Sequence, residues 1–211
     1  DDAASMMSED QYLQEFECSF EAAILGAYWG KEMRQVEEDG RICEVKYDRD
    51  APVHTAWDLG YSDDTAIVFY QVIAGEIRII DHYAASGLSM ADYLDIVTSK
   101  GYKYGLHWLP HDAKAHTMAS GKSVQEMAQA ELSVAKVRIC PSLSLQDGIQ
   151  AVRAALPRMW FDADKCAEFD LIEALKQYQR EWDDDKKAFR DKPRHDWTSH
   201  SADAVRYMAI A

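Results

Sequence analysis

Two residues, Ala74 and Gly75, separate the apolar runs Thr65–Ile73 and 76–83. A linker that short obliges the two runs to pair as an antiparallel hairpin, because parallel pairing needs a crossover of a dozen residues or more. A third run, Val53–Asp58, comes just before them, so this part of the chain reads as a three-stranded antiparallel meander. The period then changes. Ser89 caps a helix with Met90, Tyr93, Leu94 and Val97 on one face and Gly101 beyond its end. Tyr104–Leu109 is a fourth strand, and Ser123 with Glu126 makes a capping box for a helix carrying Val124, Met127, Ala128 and Leu132. Residues 134–140 read as a fifth strand stopped by Pro141, with helices over about 145–156, 167–182 and 199–209. Strands reached through helices pair in parallel by right-handed crossovers. The expected fold is α/β: a mixed sheet of five or more strands, the first three antiparallel, flanked by helices.

Residues 1–50 carry a different signal. Positions 11–32 look helical or partly irregular, with scattered aromatics (Tyr12, Phe16, Phe20, Tyr28, Trp29) and no strand alternation. Glu37 to Gly40 reads as a turn, and residues 47–52 as a polar connector. The expected division is an extension over 1–50 and one domain over 51–211. With 47% hydrophobic residues in 211, the chain has the material for a single full core.

Composition narrows the function classes. No run of eighteen apolar residues occurs, and the first residues lack the regions of a signal peptide, so neither a membrane span nor secretion is expected. Cys18, Cys43, Cys140 and Cys166 form no C-x-x-C pair, which fits reduced thiols better than zinc or a disulfide framework. A net charge of −14 opposes strong nucleic-acid binding by this chain alone, because phosphate neutralisation needs lysine and arginine.

The chemistry concentrates in three aspartates. Asp58 ends the first strand, Asp112 follows the fourth after Pro110-His111, and Asp203 lies in the late helix within His200-Ser201-Ala202-Asp203-Ala204-Val205-Arg206-Tyr207. An Asp closing a buried strand is costly unless something pairs it. Singly, each has an ordinary explanation as a turn cap or solvated residue. Together, in a sheet whose first and fourth strands are central neighbours, they match the ribonuclease H-like arrangement. Carboxylates are hard oxygen ligands suited to Mg²⁺ or Mn²⁺. Two such ions about 3.5–4 Å apart would serve phosphodiester cleavage, with Asp58 bridging them and Asp112 and Asp203 each holding one. Asp64 is an auxiliary candidate from the loop it shares with Asp63. His111, His195 and His200 are secondary candidates for positioning water or leaving group. Segment 180–198 is long, polar and mixed in charge, as functional loops and hairpins are. Its Lys186, Lys187, Arg190, Lys192 and Arg194 are candidate phosphate contacts; a solvated surface hairpin is the plain alternative.

These motifs resemble the C-terminal nuclease domain of tailed-bacteriophage large terminases, the DNA-packaging motor subunits. The residues that carry the resemblance are Trp57-Asp58-Leu59-Gly60, Asp63-Asp64-Thr65-Ala66-Ile67, His111-Asp112-Ala113 and the 200–207 run, with Tyr12 to Cys18 and Gly26-Ala27-Tyr28 similar to the stretch where that family's ATPase domain ends. The resemblance implies a metal-dependent endonuclease that cuts concatemeric viral DNA with little sequence preference, using Asp58, Asp112 and Asp203 with Asp64 as auxiliary. It implies action in the host cytoplasm and, as partners, double-stranded DNA, an ATPase domain, a small terminase subunit and a portal. Some members carry a second acidic residue after the last aspartate, where this chain has Ala204. There is no G-x-x-x-x-G-K-[ST] here, so the motor function is not expected of this segment. Two other classes remain in view. An actin-like or sugar-kinase phosphate-binding domain shares the topology but needs a second glycine-rich loop. A catalytically silent module of a packaging complex would have no use for three converging aspartates.

Overall fold

Ala74 and Gly75 both take positive φ, 51° and 87°, the left-handed pair whose twist matches that of a two-residue hairpin. They join β3 (Thr65–Ile73) to β4 (Glu76–Ala85), and β3 also pairs antiparallel with β2 (Val53–Asp58). Residues 26–60, 63–115 and 121–211 are described by this computed structural model. Across them the sheet has seven strands in the order β1-β7-β4-β3-β2-β5-β6, where β1 is Ile42–Cys43, β5 Tyr104–Leu109, β6 Val137–Ile139 and β7 Met159–Asp162. Every pairing outside the meander is parallel. A separate hairpin joins β8 (Arg180–Asp183) and β9 (Ala188–Pro193).

Helices cover both faces. Alternation along β3 splits the core: Ala66, Val68 and Tyr70 belong to one cluster, Ile67 and Phe69 to the other. The first cluster is closed by α1 (Gly30–Glu38), α4 (Leu145–Ala155), α5 (Leu171–Gln177) and α6 (Ser199–Ile210). The second is closed by α2 (Met90–Ser99), whose expected Ser89 cap is a full capping box with Asp92, and by α3 (Val124–Leu132), which opens with the expected Ser123–Glu126 capping box. No described helix is long and apolar enough to cross a membrane.

Residue 50 is not a structural boundary for the described residues. α1 buries Met33 and Val36 completely, and Trp29 before it is also fully buried. Trp29 Nε1 donates to the Ile149 carbonyl at 3.0 Å, tying it to α4. Arg41 donates to the carbonyls of Leu156 (2.6 Å) and Met159 (2.9 Å). The 47–52 connector is held by buried Gln71, which donates to the carbonyls of Asp48 and Ala51 and accepts from the Asp48 amide. Such pairing satisfies a polar side chain that burial would otherwise penalise. The part of the 1–50 extension that lies before residue 26, with its aromatics Tyr12, Phe16 and Phe20, falls outside the described residues.

Other expectations are corrected. β6 is shorter than 134–140, because Ser133 and Lys136 close a turn (3.0 Å) that leaves Val134 exposed. The helix expected over 167–182 is confined to Leu171–Gln177 and gives way to β8. Tyr178 leaves helical geometry (φ −59°, ψ 112°) and buries its ring against Trp29, centroids 5.1 Å apart. Tertiary anchoring of one aromatic here overrides local helix propensity. β1 and β7 extend the sheet beyond β4; two- and four-residue strands are too short to show a period.

Two outcomes follow for stability. Trp29→Ala removes a fully buried indole and its bond to the Ile149 carbonyl, so urea denaturation should register a loss of about 3–5 kcal/mol; an unchanged midpoint would separate α1 from the domain. His82, buried in β4, faces Ser201 Oγ at 3.2 Å. Burial, helped by the Lys100 charge, pushes its pKa down from 6.5 to about 3. The unfolded chain therefore takes up this proton near 6.5 and the folded one only near 3, so stability should fall as pH drops through that window. His107, pushed down to about 4 by burial, acts in the same sense. His82→Gln should flatten, without abolishing, the pH dependence of the urea midpoint; an unaltered slope would contradict the assignment.

Candidate metal centre

β2 and β5 lie side by side and run in the same direction, with Ala56 opposite Trp108. Their carboxyl ends therefore emerge at one edge of the sheet, where open α/β sheets bind ligands. Asp58 is the last residue of β2. Asp112 stands in a 3-10 turn, His111–Lys114, that begins just past β5, and both His111 and Asp112 are exposed there. α6 reaches the same edge from the face above, packing its buried Ala202, Ala204 and Val205 in the cluster that holds Ala56 and Ala66. Small residues on both sides allow the helix to approach closely, which brings His200 and Asp203 near the end of β2.

Two of the three carboxylates, Asp58 and Asp203, are fixed by neighbours. Asp58 Oδ2 meets His200 Nδ1 at 3.0 Å. Asp203 Oδ1 accepts from the Tyr178 phenol at 3.1 Å and from Arg206 Nε at 3.1 Å, one helical turn along. The Arg206 side chain lies over Gly148, where a Cβ would come within 2.7 Å of its Cγ and Cδ; glycine in α4 makes the room. Tyr178 and Arg206 are the functional neighbours that motif reading misses. Arg206 could have been found from its i, i+3 spacing to Asp203, whereas nothing in the sequence links Tyr178 to it.

The electrostatics are those of crowded negative charge. Burial pushes the Asp58 carboxyl above its usual range, and the nearby Asp203 charge adds to this, while His200 and Arg206 oppose it. His200 is held above the usual histidine value, first by its hydrogen bond to Asp58. The Tyr207 phenol is pushed up to about 12, mainly by burial and then by Asp58, with Asp203 and Asp112 contributing. All three aspartate charges are thus felt at one tyrosine. A divalent cation relieves that tension, and an all-carboxylate donor set fits a hard one. The three do not form a tight triad, however. Among the described residues, the one acidic or histidine trio whose ligand atoms all lie within 4.8 Å of one another is Asp63, His195 and His200. Asp64 is half-buried and lines the same shallow cleft as that trio, together with Ser86, Asp196 and Trp197.

The basic candidates sit on the β8–β9 hairpin and the turn after it, and most are spoken for. Arg190 pairs with Asp183 (3.1 Å) and Glu181 (2.7 Å), Lys192 with Glu181 (2.6 Å), and Arg194 with Asp196 (3.5 Å). Lys187 has only an exposed, 4.0 Å contact with Asp184, and Lys186 is exposed. Those two lysines at the hairpin tip are the ones whose charge projects most freely.

No family model matches the sequence, and no curated protein matches it. Solved structures do. The large terminase of a thermophilic bacteriophage, in complex with ATP-gamma-S, superposes with a TM-score of 0.62 at 18% identity, over 84% of this chain and 44% of that one. The large terminase (g2p) nuclease domain of bacteriophage SPP1 with bound Mn gives 0.57 at 15%, over 74% and 84%. The large terminase nuclease of thermophilic phage G20c with bound magnesium gives 0.54 at 14%, over 87% and 97%. The chain spans about two fifths of the longer terminase chains it matches but nearly all of the G20c nuclease chain. At these identities the likeness is one of fold: the chain has the mixed α/β, ribonuclease H-like architecture of bacteriophage large-terminase nuclease domains.

Proposed function

We propose that this chain is a divalent-metal-dependent endonuclease domain that cleaves double-stranded DNA during viral genome packaging. The observation that carries the proposal is that the Asp203 charge is near enough to raise the Asp58 carboxyl's pKa, with Asp112 just past β5 beside them, in a fold shared with terminase nucleases. Asp58, Asp112 and Asp203 hold Mg²⁺ or Mn²⁺, two ions being the expected complement, with Asp64 as an auxiliary acidic group. A bound ion of this kind polarises a phosphate oxygen and acidifies a water.

The chain's own residues prepare that site. The imidazole of His200 orients the Asp58 carboxylate, and Tyr178 with Arg206 fixes the rotamer of Asp203, so neither carboxylate has to be ordered when a cation arrives. Arg206 also offsets part of the negative charge that phosphodiester must approach. A chain of net charge −14 repels DNA at long range, and affinity has to come from elsewhere. Large terminases are longer than this chain, and we infer that an ATPase domain, a small terminase subunit and a portal supply that affinity, in the host cytoplasm where viral DNA is packaged. Lys186 and Lys187 add a local phosphate contact at the hairpin tip.

Nicking of supercoiled plasmid at low salt tests the reading directly. Mn²⁺ and Mg²⁺ should each support cleavage, and chelation should end it. Asp58→Asn and Asp203→Asn should reduce the rate by more than about 100-fold with the urea midpoint preserved, and His200→Ala by about 10–100-fold. Wild-type rates in Asp58→Asn, or no cleavage with either ion, would sink the assignment and favour a silent interaction module. For the hairpin, joint replacement of Lys186 and Lys187 by alanine should weaken DNA binding across all sequences and lessen its salt dependence. Identical binding isotherms would leave the hairpin a solvated surface feature.

A further inference from the structure

Asp63, His195 and His200 come from three different segments: the loop after β2, the turn after β9, and the first turn of α6. Their ligand atoms nonetheless lie within 4.8 Å of one another. His195 Nε2 stands 3.5 Å from Asp63 Oδ2, and the two imidazoles meet nearly perpendicular, centroids 5.6 Å apart and planes at 80°. Tetrahedral coordination with bonds of about 2.0–2.1 Å separates neighbouring ligand atoms by about 3.3–3.4 Å. The Asp63–His195 pair is already close to that spacing, and the remaining contraction is within reach of exposed side chains on a surface turn.

A second observation points the same way. Metal-binding histidines ordinarily give their other ring N–H to a carboxylate, which fixes the tautomer and makes the free nitrogen a better ligand. His200 has that arrangement: its Nδ1 is committed to Asp58 Oδ2 at 3.0 Å, so its Nε2 is left for a cation. The side chain of His200 is 15% exposed while those of Asp63 and His195 are 54% and 72% exposed, so the trio is anchored on its inner side and open to water on its outer side. Two nitrogens and one oxygen form a softer donor set than the three aspartates, and imidazole favours Zn²⁺ or Co²⁺ over Mg²⁺.

We propose that Asp63, His195 and His200 form a binding site for a borderline transition-metal ion, Zn²⁺ or Co²⁺, distinct from the aspartate site and joined to it through His200. Three protein ligands leave at least one position for water, as at open zinc sites. The ion ties the β2 loop to the start of α6, and it draws on the imidazole that orients Asp58. Site occupancy is thereby coupled to the carboxylate at the end of β2, whatever reaction that carboxylate serves.

The experiment is metal binding without DNA. Metal-free protein is titrated with Zn²⁺ by calorimetry and with Co²⁺ by visible absorption, since a four- or five-coordinate nitrogen-containing Co²⁺ site absorbs far more strongly than a six-coordinate all-oxygen one. One Zn²⁺ should bind per chain more tightly than any taken up by the three aspartates. His195→Gln and Asp63→Asn, both exposed positions with the fold checked by circular dichroism, should each weaken it by at least about 10-fold and remove the intense Co²⁺ bands. Asp203→Asn should retain both. Failure of the wild-type chain to bind Zn²⁺, or equal binding by His195→Gln and Asp63→Asn, overturns the proposal, as does loss of the ion in Asp203→Asn alone. Because no cleavage is measured, the result is independent of the nuclease reading.

Discussion

The close packing of α6 on β2 and β3 is the contact on which the rest of this molecule turns. Ala202 and Ala204 on the helix and Ala56 and Ala66 on the strands are all fully buried in one cluster. Because these four side chains are single methyl groups, little side-chain volume holds helix and sheet apart there. That nearness lets His200 touch Asp58 and lets the Asp203 charge raise its pKa. Larger side chains at these positions would lift the helix and separate the carboxylates. The site's electrostatics thus rest on the volume of four alanines.

A second layer keeps that helix oriented. Tyr178, released from α5, stacks on Trp29 and donates to Asp203. Trp29 in turn donates to α4, whose Gly148 accommodates Arg206. Residues from 29 to 206 thereby converge on one carboxylate, which explains why the segment before residue 50 is part of the core rather than a tether. Burying these groups is tolerable because the Trp29 indole, the Tyr178 phenol and the Arg206 guanidinium each donate to a partner.

Charge distribution separates the two ends of the proposed activity. The sheet edge concentrates carboxylates, as cation capture requires, while the hairpin's arginines are largely neutralised by Glu181, Asp183 and Asp196. Such a distribution favours cation capture over phosphate contact.

Local sequence was sufficient for whatever depends on neighbours along the chain. The Ala74-Gly75 turn, the Ser89 cap and Ser123 capping box, the β2–β3–β4 meander and the parallel arrival of β5 follow from turn chemistry, period and crossover length, and together they imply that Asp58 and Asp112 share one edge. Asp203 was legible as a motif residue, but its distance from Asp58 was not. What only the tertiary structure decided are the contacts between residues far apart in sequence: the exit of Tyr178 from its helix, the short strands β1 and β7, and the grouping of Asp63 with His195 and His200. Strands of two to four residues have no measurable period, and a side chain's partner across 25 residues or 142 is set by how helices and sheet dock, a packing outcome that no local pattern records.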